Sequence, residues 1–297
     1  MHGGRERFPS PRRCTVQSGA QRREVALELA VQDPAGVGVA ADVGARRVEL
    51  CVALGATGGL TPSAGLLDAA LDVARAAGVE RGAPAVEVHV LVRPRPGGFT
   101  YDAVDLDLQV RDVRSAVAAG ARGVVVGALD AAGRVDVAAV RALVDAAAGN
   151  EVTFHRALDV VTDPVEALDL LVDLGVARVL TSGGAPRSVD GLDRLRALAT
   201  HAHDALEGRI QVMAGGGVRP QDVGALVAAG VDAVHLSAKR TVHDDAGPGG
   251  GGDGGFEVTD PGIAVVARAA LDAAASGHAV RPPDGPGPHR VGDDATG

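Results

Sequence analysis

Tryptophan is missing from the 297-residue chain, tyrosine occurs once, and aromatic residues make up only 2% of it. With so few rings the interior has to be filled by Val, Leu and Ala, and a surface that binds nucleic acid by stacking bases on aromatic side chains is excluded. Cysteine is almost as scarce. Cys14 lies in a polar terminal stretch and Cys51 inside a Val-rich run, so no disulfide framework is expected and both read as free thiols. An excess of positive charge is also lacking: 29 Lys+Arg against 38 Asp+Glu give a net charge of −9, which argues against nucleic acid as a partner. No apolar run approaches the ~18 residues of a membrane-spanning helix, and the N-terminal stretch has no apolar core of a secretory signal. No membrane partner is expected, and the chain reads as cytoplasmic.

What remains is 46% hydrophobic, enough to bury a large core, and a single barrel domain of about 250 residues would use most of the length. Residues 1–22, rich in Arg, Gly and Pro without periodicity, read as a disordered tail and fit a translation start further downstream. Residues 277–297 read as a second tail, and the glycine-rich run 247–255 as a mobile loop. Between them, in 23–276, short Val-rich runs alternate with Ala/Leu-rich segments of helical period. Strands are expected near 24–31, 46–52, 85–92, 122–127, 151–157, 177–182, 209–215 and 231–237. Helices are expected near 35–43, 64–77, 103–119, 136–148, 164–174, 188–206, 219–229 and 260–275. Eight strand–helix pairs predict an α/β fold, a closed (β/α)8 TIM barrel.

In a barrel strand alternate residues face the axis, so polar residues interleaved with Val and Leu are assigned to the interior. In LELAV this selects Glu28, and in RVELC it selects Glu49 and Cys51. VEVHVLVRP places His89, Leu91 and Arg93 on the axis face, and VTFHRALD places Thr153 and His155 there. IQVMAGGG contributes Gln211, Met213 and Gly215, and VHLSA contributes His235 and Ser237. Barrel active sites occupy the C-terminal mouth, where these groups would converge. Unpaired buried charges there are costly, so Glu28, Glu49, Arg93 and His155 are expected to pair with one another or to be hydrated by an open mouth; in the alternative of a polar layer that only plugs the interior, Arg93 would bridge the glutamates. The glycines of VMAGGGV (Gly215, Gly216, Gly217), Ser237, and Ser182 and Gly183 of TSGG resemble loops that cradle a phosphate or carboxylate on backbone N–H groups, with Lys239 and Arg240 as countercharge.

The ordered motifs RVELC, GGLTPS, RPRPGGFTYD, VTFHRALD, RVLTSGG and VMAGGGV together resemble the CutC family. The resemblance implies the same barrel, a copper-related role, a cytoplasmic location and self-association into a homo-oligomer. It also implies a mouth lined by Glu28, Glu49, Arg93, Arg95, His155, Arg156, Asp159, Ser182 and His235. Many relatives carry cysteines where this chain has Leu29, Ala30 and Val31, and often one at the position of Thr100. Copper(I) prefers soft thiolate and thioether ligands, so Cys51 and Met213, with His235, would make a sparse metal site.

Two functions stay open. One is an enzyme of lyase, isomerase or aldolase type acting on a small anionic carbonyl compound, with Glu28 or Glu49 as general base, His155 oriented by Asp159 as general acid, and Arg95, Ser182 and the glycine loops holding the anion. The other is a metal-binding protein using the carboxylates, histidines, Cys51 and Met213.

Overall fold

In the computed structural model, residues 24–243 and 255–277 are described. The expected tail 1–22, the expected tail 277–297 apart from Gly277, Cys14, and most of the expected mobile loop lie outside the described residues. Eight parallel strands close into a barrel in sequence order, with β8 returning to pair with β1. The strands are β1 (Ala26–Val31), β2 (Arg47–Leu50), β3 (Glu87–Leu91), β4 (Gly123–Val126), β5 (Glu151–Phe154), β6 (Arg178–Thr181), β7 (Gln211–Gly215) and β8 (Ala233–Leu236). Around them stand α1 (Pro34–Asp42), a short α2 (Leu54–Thr57), α3 (Ala64–Arg81), α4 (Ala103–Ala119), α5 (Val137–Ala146), α6 (Pro164–Asp173), α7 (Leu192–Asp204), α8 (Val223–Ala228) and α9 (Pro261–Ser276).

Local chemistry explains where these helices begin. Asp33, Ser63, Asp102, Asp136, Asp163 and Asp260 each accept a backbone N–H at a helix start, satisfying a donor the helix itself leaves unpaired. Pro34, Pro164 and Pro261 occupy first-turn positions, where no N–H is needed. Outward strand residues such as Leu27, Leu29, Val48, Leu50, Val124, Val126, Phe154, Val212 and Val234 are buried against the helices. Each contributes about 1.5–3 kcal/mol by leaving water.

The inner face is built differently. On β4 the inward positions are Gly123, Val125 and, just past the strand, Gly127, and two imidazoles occupy the space the glycines leave. A Cβ at Gly123 would lie 2.5 Å from the ring of His89, and one at Gly127 would lie 2.4 Å from the ring of His155. Gly127→Ala should therefore displace His155 and lower stability by about 1–3 kcal/mol, as overpacking does. Urea denaturation checks this, and an unchanged midpoint would show that the ring moves freely.

The structure adds a hairpin the sequence did not announce. β9 (Lys239–His243) and β10 (Gly255–Thr259) pair antiparallel between β8 and α9. Lys239 and Arg240, expected as loop countercharges, lie in β9 and are ion-paired with Glu257 and Asp260. Two expected helices also start later, behind one-turn 3-10 segments at Ser188–Gly191 and Pro220–Asp222.

Candidate active site at the barrel mouth

β1 lies between β8 and β2, and the parallel register sets Glu28 beside His235 and Ala30 beside Glu49. Glu28, Glu49 and His235 each bring a donor atom within 4.8 Å of the others. Glu28 is fully engaged: Oε1 meets His235 Nδ1 at 2.7 Å and Oε2 accepts from Arg47 Nε at 2.6 Å. Burial alone would raise the Glu28 carboxyl, but the hydrogen bond and charge of His235, with Arg47, hold it well below the usual carboxylate range. Burial pulls the His235 imidazole down, and the Glu28 hydrogen bond with the Glu49 and Glu28 charges outweighs it, so the net shift is upward.

Glu49 is the contrast. No protein group donates a hydrogen bond to it among the described residues, and its Oε2 is buried without a partner. Burial, reinforced by the Glu28 charge and opposed by His235, pushes its pKa up to about 7. An ionised Glu28, hydrogen-bonded to a His235 whose pKa is raised, thus stands beside a carboxyl that exchanges its proton near neutral pH.

Arg93 does not bridge the glutamates. Past the end of β3 its guanidinium donates to the carbonyls of Thr57 (2.7 Å), Gly59 (3.0 Å) and Gly97 (2.8 Å) and lies 5.4 Å from the Phe99 ring centroid, tying two mouth loops together. His155 is buried with its ring centroid 4.8 Å from that of Phe99. Its Nδ1 accepts the Ala157 N–H at 3.2 Å, so the ring proton sits on Nε2, and burial together with Arg93 lowers its pKa to about 3. It is a neutral donor at neutral pH rather than a charged acid.

Asp159 does not orient His155. Its carboxylate accepts from Thr181 Oγ1 (2.5 Å), Ser182 N (2.9 Å), Ser182 Oγ (3.0 Å), Gly184 N (3.1 Å) and Arg156 Nε (2.8 Å). The cradle expected at Ser182 and Gly183 is therefore filled from within: Asp159 takes the Ser182 N–H, and the Gly183 N–H goes to Thr181 Oγ1 at 2.9 Å. Arg95 also sits elsewhere, bonded to Asp105 at 2.8 Å and 5.0 Å from the Tyr101 ring centroid.

The other half of the expected cradle keeps its donors. Gly217 and Ser237 line one cleft together with Lys239, while Gly215 leaves room for the His235 ring. Gly216 has φ 116° and lies under Arg156, whose guanidinium carbon is 3.0 Å from where a Cβ would stand. That cleft, of about 2020 Å³, mostly follows α8 and α9 outside the barrel and includes neither Glu49 nor His155. Its size reflects a gap between helices; the ionisable groups of the barrel interior mark the site.

Of the expected metal candidates, Glu28, Glu49 and His235 come together, but the two sulfur ligands do not join each other. Cys51 packs with Leu91 and Val125, and Met213 packs in a separate cluster with Leu180 and Ala233. Burial, helped by the Glu49 charge, drives the Cys51 thiol far up, so it stays protonated. The residues present do not fit copper(I), which needs thiolate or thioether ligands acting together.

Three charged residues lie outside the sequence-derived set: buried Arg47 and Arg178, and half-exposed Glu151. Arg178 donates to Gln211 (2.9 Å), Thr153 (3.0 Å) and Glu151 (2.8 Å). Each shares the inward parity of residues that were selected, Arg47 with Glu49, Glu151 with Thr153, and Arg178 with Ser182. All three sit at strand N-termini, away from the mouth.

A closed (β/α)8 barrel with a buried Glu28–Glu49–His235 cluster in its interior defines the class of the molecule. The CutC family model matches residues 25–240, and the chain belongs to the CutC family. A Sinorhizobium medicae "family protein CutC" is 46% identical over 206 residues, covering 68% of this chain and 76% of the relative. A Caulobacter vibrioides protein of the same name is 47% identical over 203 residues, with the same coverage. A crystal structure from Streptococcus agalactiae, provisionally named copper homeostasis protein CutC, superposes with a TM-score of 0.65 at 28% identity, covering 72% of this chain and 98% of that one. Among the described residues no helix is long and apolar enough to cross a membrane.

Proposed function

We propose that the barrel mouth is an acid–base catalytic site for a small anionic carbonyl compound, of isomerase or lyase type. The observation that carries this reading is Glu49, a buried carboxyl with an unpartnered oxygen and a pKa of about 7, within 4.8 Å of a His235 whose pKa is raised. A general base works best when its pKa lies near the working pH. Ionised Glu49 would take a proton from the carbon next to the carbonyl, and the charge developing on the carbonyl oxygen would be met by the His235 imidazolium, fixed through Nδ1 by Glu28. In an α-hydroxy carbonyl compound, return of that proton from Glu49 to the former carbonyl carbon, with the hydroxyl proton passing to the former carbonyl oxygen by way of His235 Nε2, would complete an isomerisation. Arg156 and the Gly216, Gly217 and Ser237 loops would receive the anionic group.

The copper role in the streptococcal relative's name is not the reading favoured here, because the one described thiol is protonated and isolated in apolar surroundings. The test is hydrogen exchange. Phosphorylated and carboxylated carbonyl compounds are incubated with the protein in D₂O, and loss of the proton next to the carbonyl is followed by NMR. At least one compound is expected to exchange with the wild type, and Glu49→Gln should slow that exchange by about 10²–10⁴-fold. Exchange equal in the two proteins, or with none of the compounds, overturns the reading.

A further inference from the structure

Toward the strand N-termini, where His89 is the register partner of Glu49 on the neighbouring strand, a second group of donors comes together. Glu87 and His89 on β3 and Glu151 on β5 each place a ligand-type atom within 4.8 Å of the others. β4 separates these strands, and the β3 imidazole reaches the β5 carboxylate only because β4 carries Gly123 at that level; a side chain there would strike the His89 ring. His89 Nε2 lies 3.9 Å from Glu151 Oε2, too far for a hydrogen bond. Donors that share one tetrahedral ion at about 2.1 Å stand roughly 3.4 Å apart, so small side-chain rotations would close the set.

His89 is fully buried, yet neither ring nitrogen has a hydrogen-bond partner, and Glu87 Oε2 is buried without one as well. Buried polar atoms are almost always satisfied, and an ion bound by one His89 ring nitrogen and by Glu87 Oε2 would satisfy two of these three, leaving one ring N–H. Arg46 holds Glu87 Oε1 at 3.3 Å, leaving Oε2 available, and Arg178 holds Glu151 Oε2, the oxygen facing His89, at 2.8 Å, so a cation would share that oxygen with Arg178 or take Oε1. Supporting hydrogen bonds of this kind align metal ligands, although these guanidinium charges also temper the attraction for a cation. A polar cleft of about 230 Å³ at this end of the barrel is lined by Glu151 together with Arg46, Arg47, Arg178 and Arg268, so it reaches the set at Glu151. The mouth cluster lacks this readiness, since both oxygens of Glu28 are occupied by Arg47 and His235.

We propose that Glu87, His89 and Glu151 form a binding site for a divalent cation of the zinc type, clasping β3 to β5 across Gly123. One imidazole with two carboxylates suits zinc, and three protein donors leave the fourth tetrahedral position to solvent. The site stands apart from the mouth chemistry, so either can fail without the other.

The test uses the full chain without an affinity tag, stripped by chelator and titrated with Zn²⁺ by calorimetry and by competition with a chromophoric chelator. One equivalent should bind to the wild type and to Glu49→Gln with similar affinity. Glu151→Gln and Glu87→Gln should each bind at least 10-fold more weakly, as loss of a ligand or its support commonly produces. The Glu151 side chain is 43% exposed, so Glu151→Gln should fold, which circular dichroism checks. In the wild type the His89 ring resonance should shift on zinc addition. Absence of stoichiometric zinc binding to the wild type, undiminished binding by Glu151→Gln, or loss of binding in Glu49→Gln would each overturn the proposal.

Discussion

Glu28→Gln should cost about 3–5 kcal/mol of folding stability, because it removes one partner of a buried ion pair and leaves the other charge uncompensated. Arg47 is 1% exposed, and its Nη2 already lacks a partner. An amide at position 28 could still accept a hydrogen bond, but it could not balance the guanidinium charge. In a domain of this size the loss corresponds to a melting temperature lower by roughly 6–20 °C. The same change removes the carboxylate charge that helps raise His235, so its imidazole should titrate lower than in the wild type. The sign follows from linkage. In the wild type the raised pKa of His235 contributes stability that is complete below the unfolded-state value, about 6.5, and is lost as pH rises through the folded value. That alkaline loss should be smaller in Glu28→Gln. Urea unfolding at several pH values, with NMR titration of the His235 ring, measures both effects. A loss below about 1 kcal/mol with unchanged His235 titration would show that the Glu28–Arg47 pair contributes only what exposed pairs do.

The barrel itself was legible because two periodicities alternate along the chain, and strand parity correctly turned Glu28, Glu49, His89, His155 and His235 toward the axis. Parity says which face a residue is on; it says nothing of height along the barrel or of the partner across it. Arg93 shows the first limit. Parity placed it with the glutamates, but β3 ends at Leu91, and beyond that point the side chain turns to the carbonyls of Thr57, Gly59 and Gly97. Asp159 shows the second, since its partners Thr181, Ser182 and Gly184 come from another strand–loop unit, a contact local spacing does not encode. Arg47 and Arg178 did carry the parity signal, but attention to C-terminal strand ends left the opposite layer uncounted. The β9–β10 hairpin was hidden by its composition: KRTVH and GFEVT hold too few apolar residues to stand out beside the Val-rich barrel strands.

The stability of Glu49→Gln relative to wild type should depend on pH with a defined sign. A carboxyl whose pKa rises on folding binds its proton more tightly in the native state. Its contribution is therefore complete below the unfolded-state value, near 4.5, and is lost as pH climbs through the folded value of about 7. A shift of this size corresponds to about 3 kcal/mol, an upper figure because ionised Glu49 also supports the charge on His235. Glutamine has no proton to lose and escapes the penalty. The variant should thus gain on the wild type between pH 5 and pH 8 by up to about 3 kcal/mol, and should be the more stable of the two at the alkaline end. Two other groups act in the opposite sense but equally in both proteins: burial lowers His155 to about 3 and His89 to about 4, so their contributions are present above about 6.5 and are lost as pH falls. Comparing the two proteins by urea unfolding at each pH cancels those histidines and isolates Glu49. A difference that stayed flat, or favoured the wild type more at pH 8 than at pH 5, would mean that Glu49 ionises as an ordinary carboxyl. The proton carrier on which the proposed chemistry depends would then be missing, even if the mouth were otherwise intact.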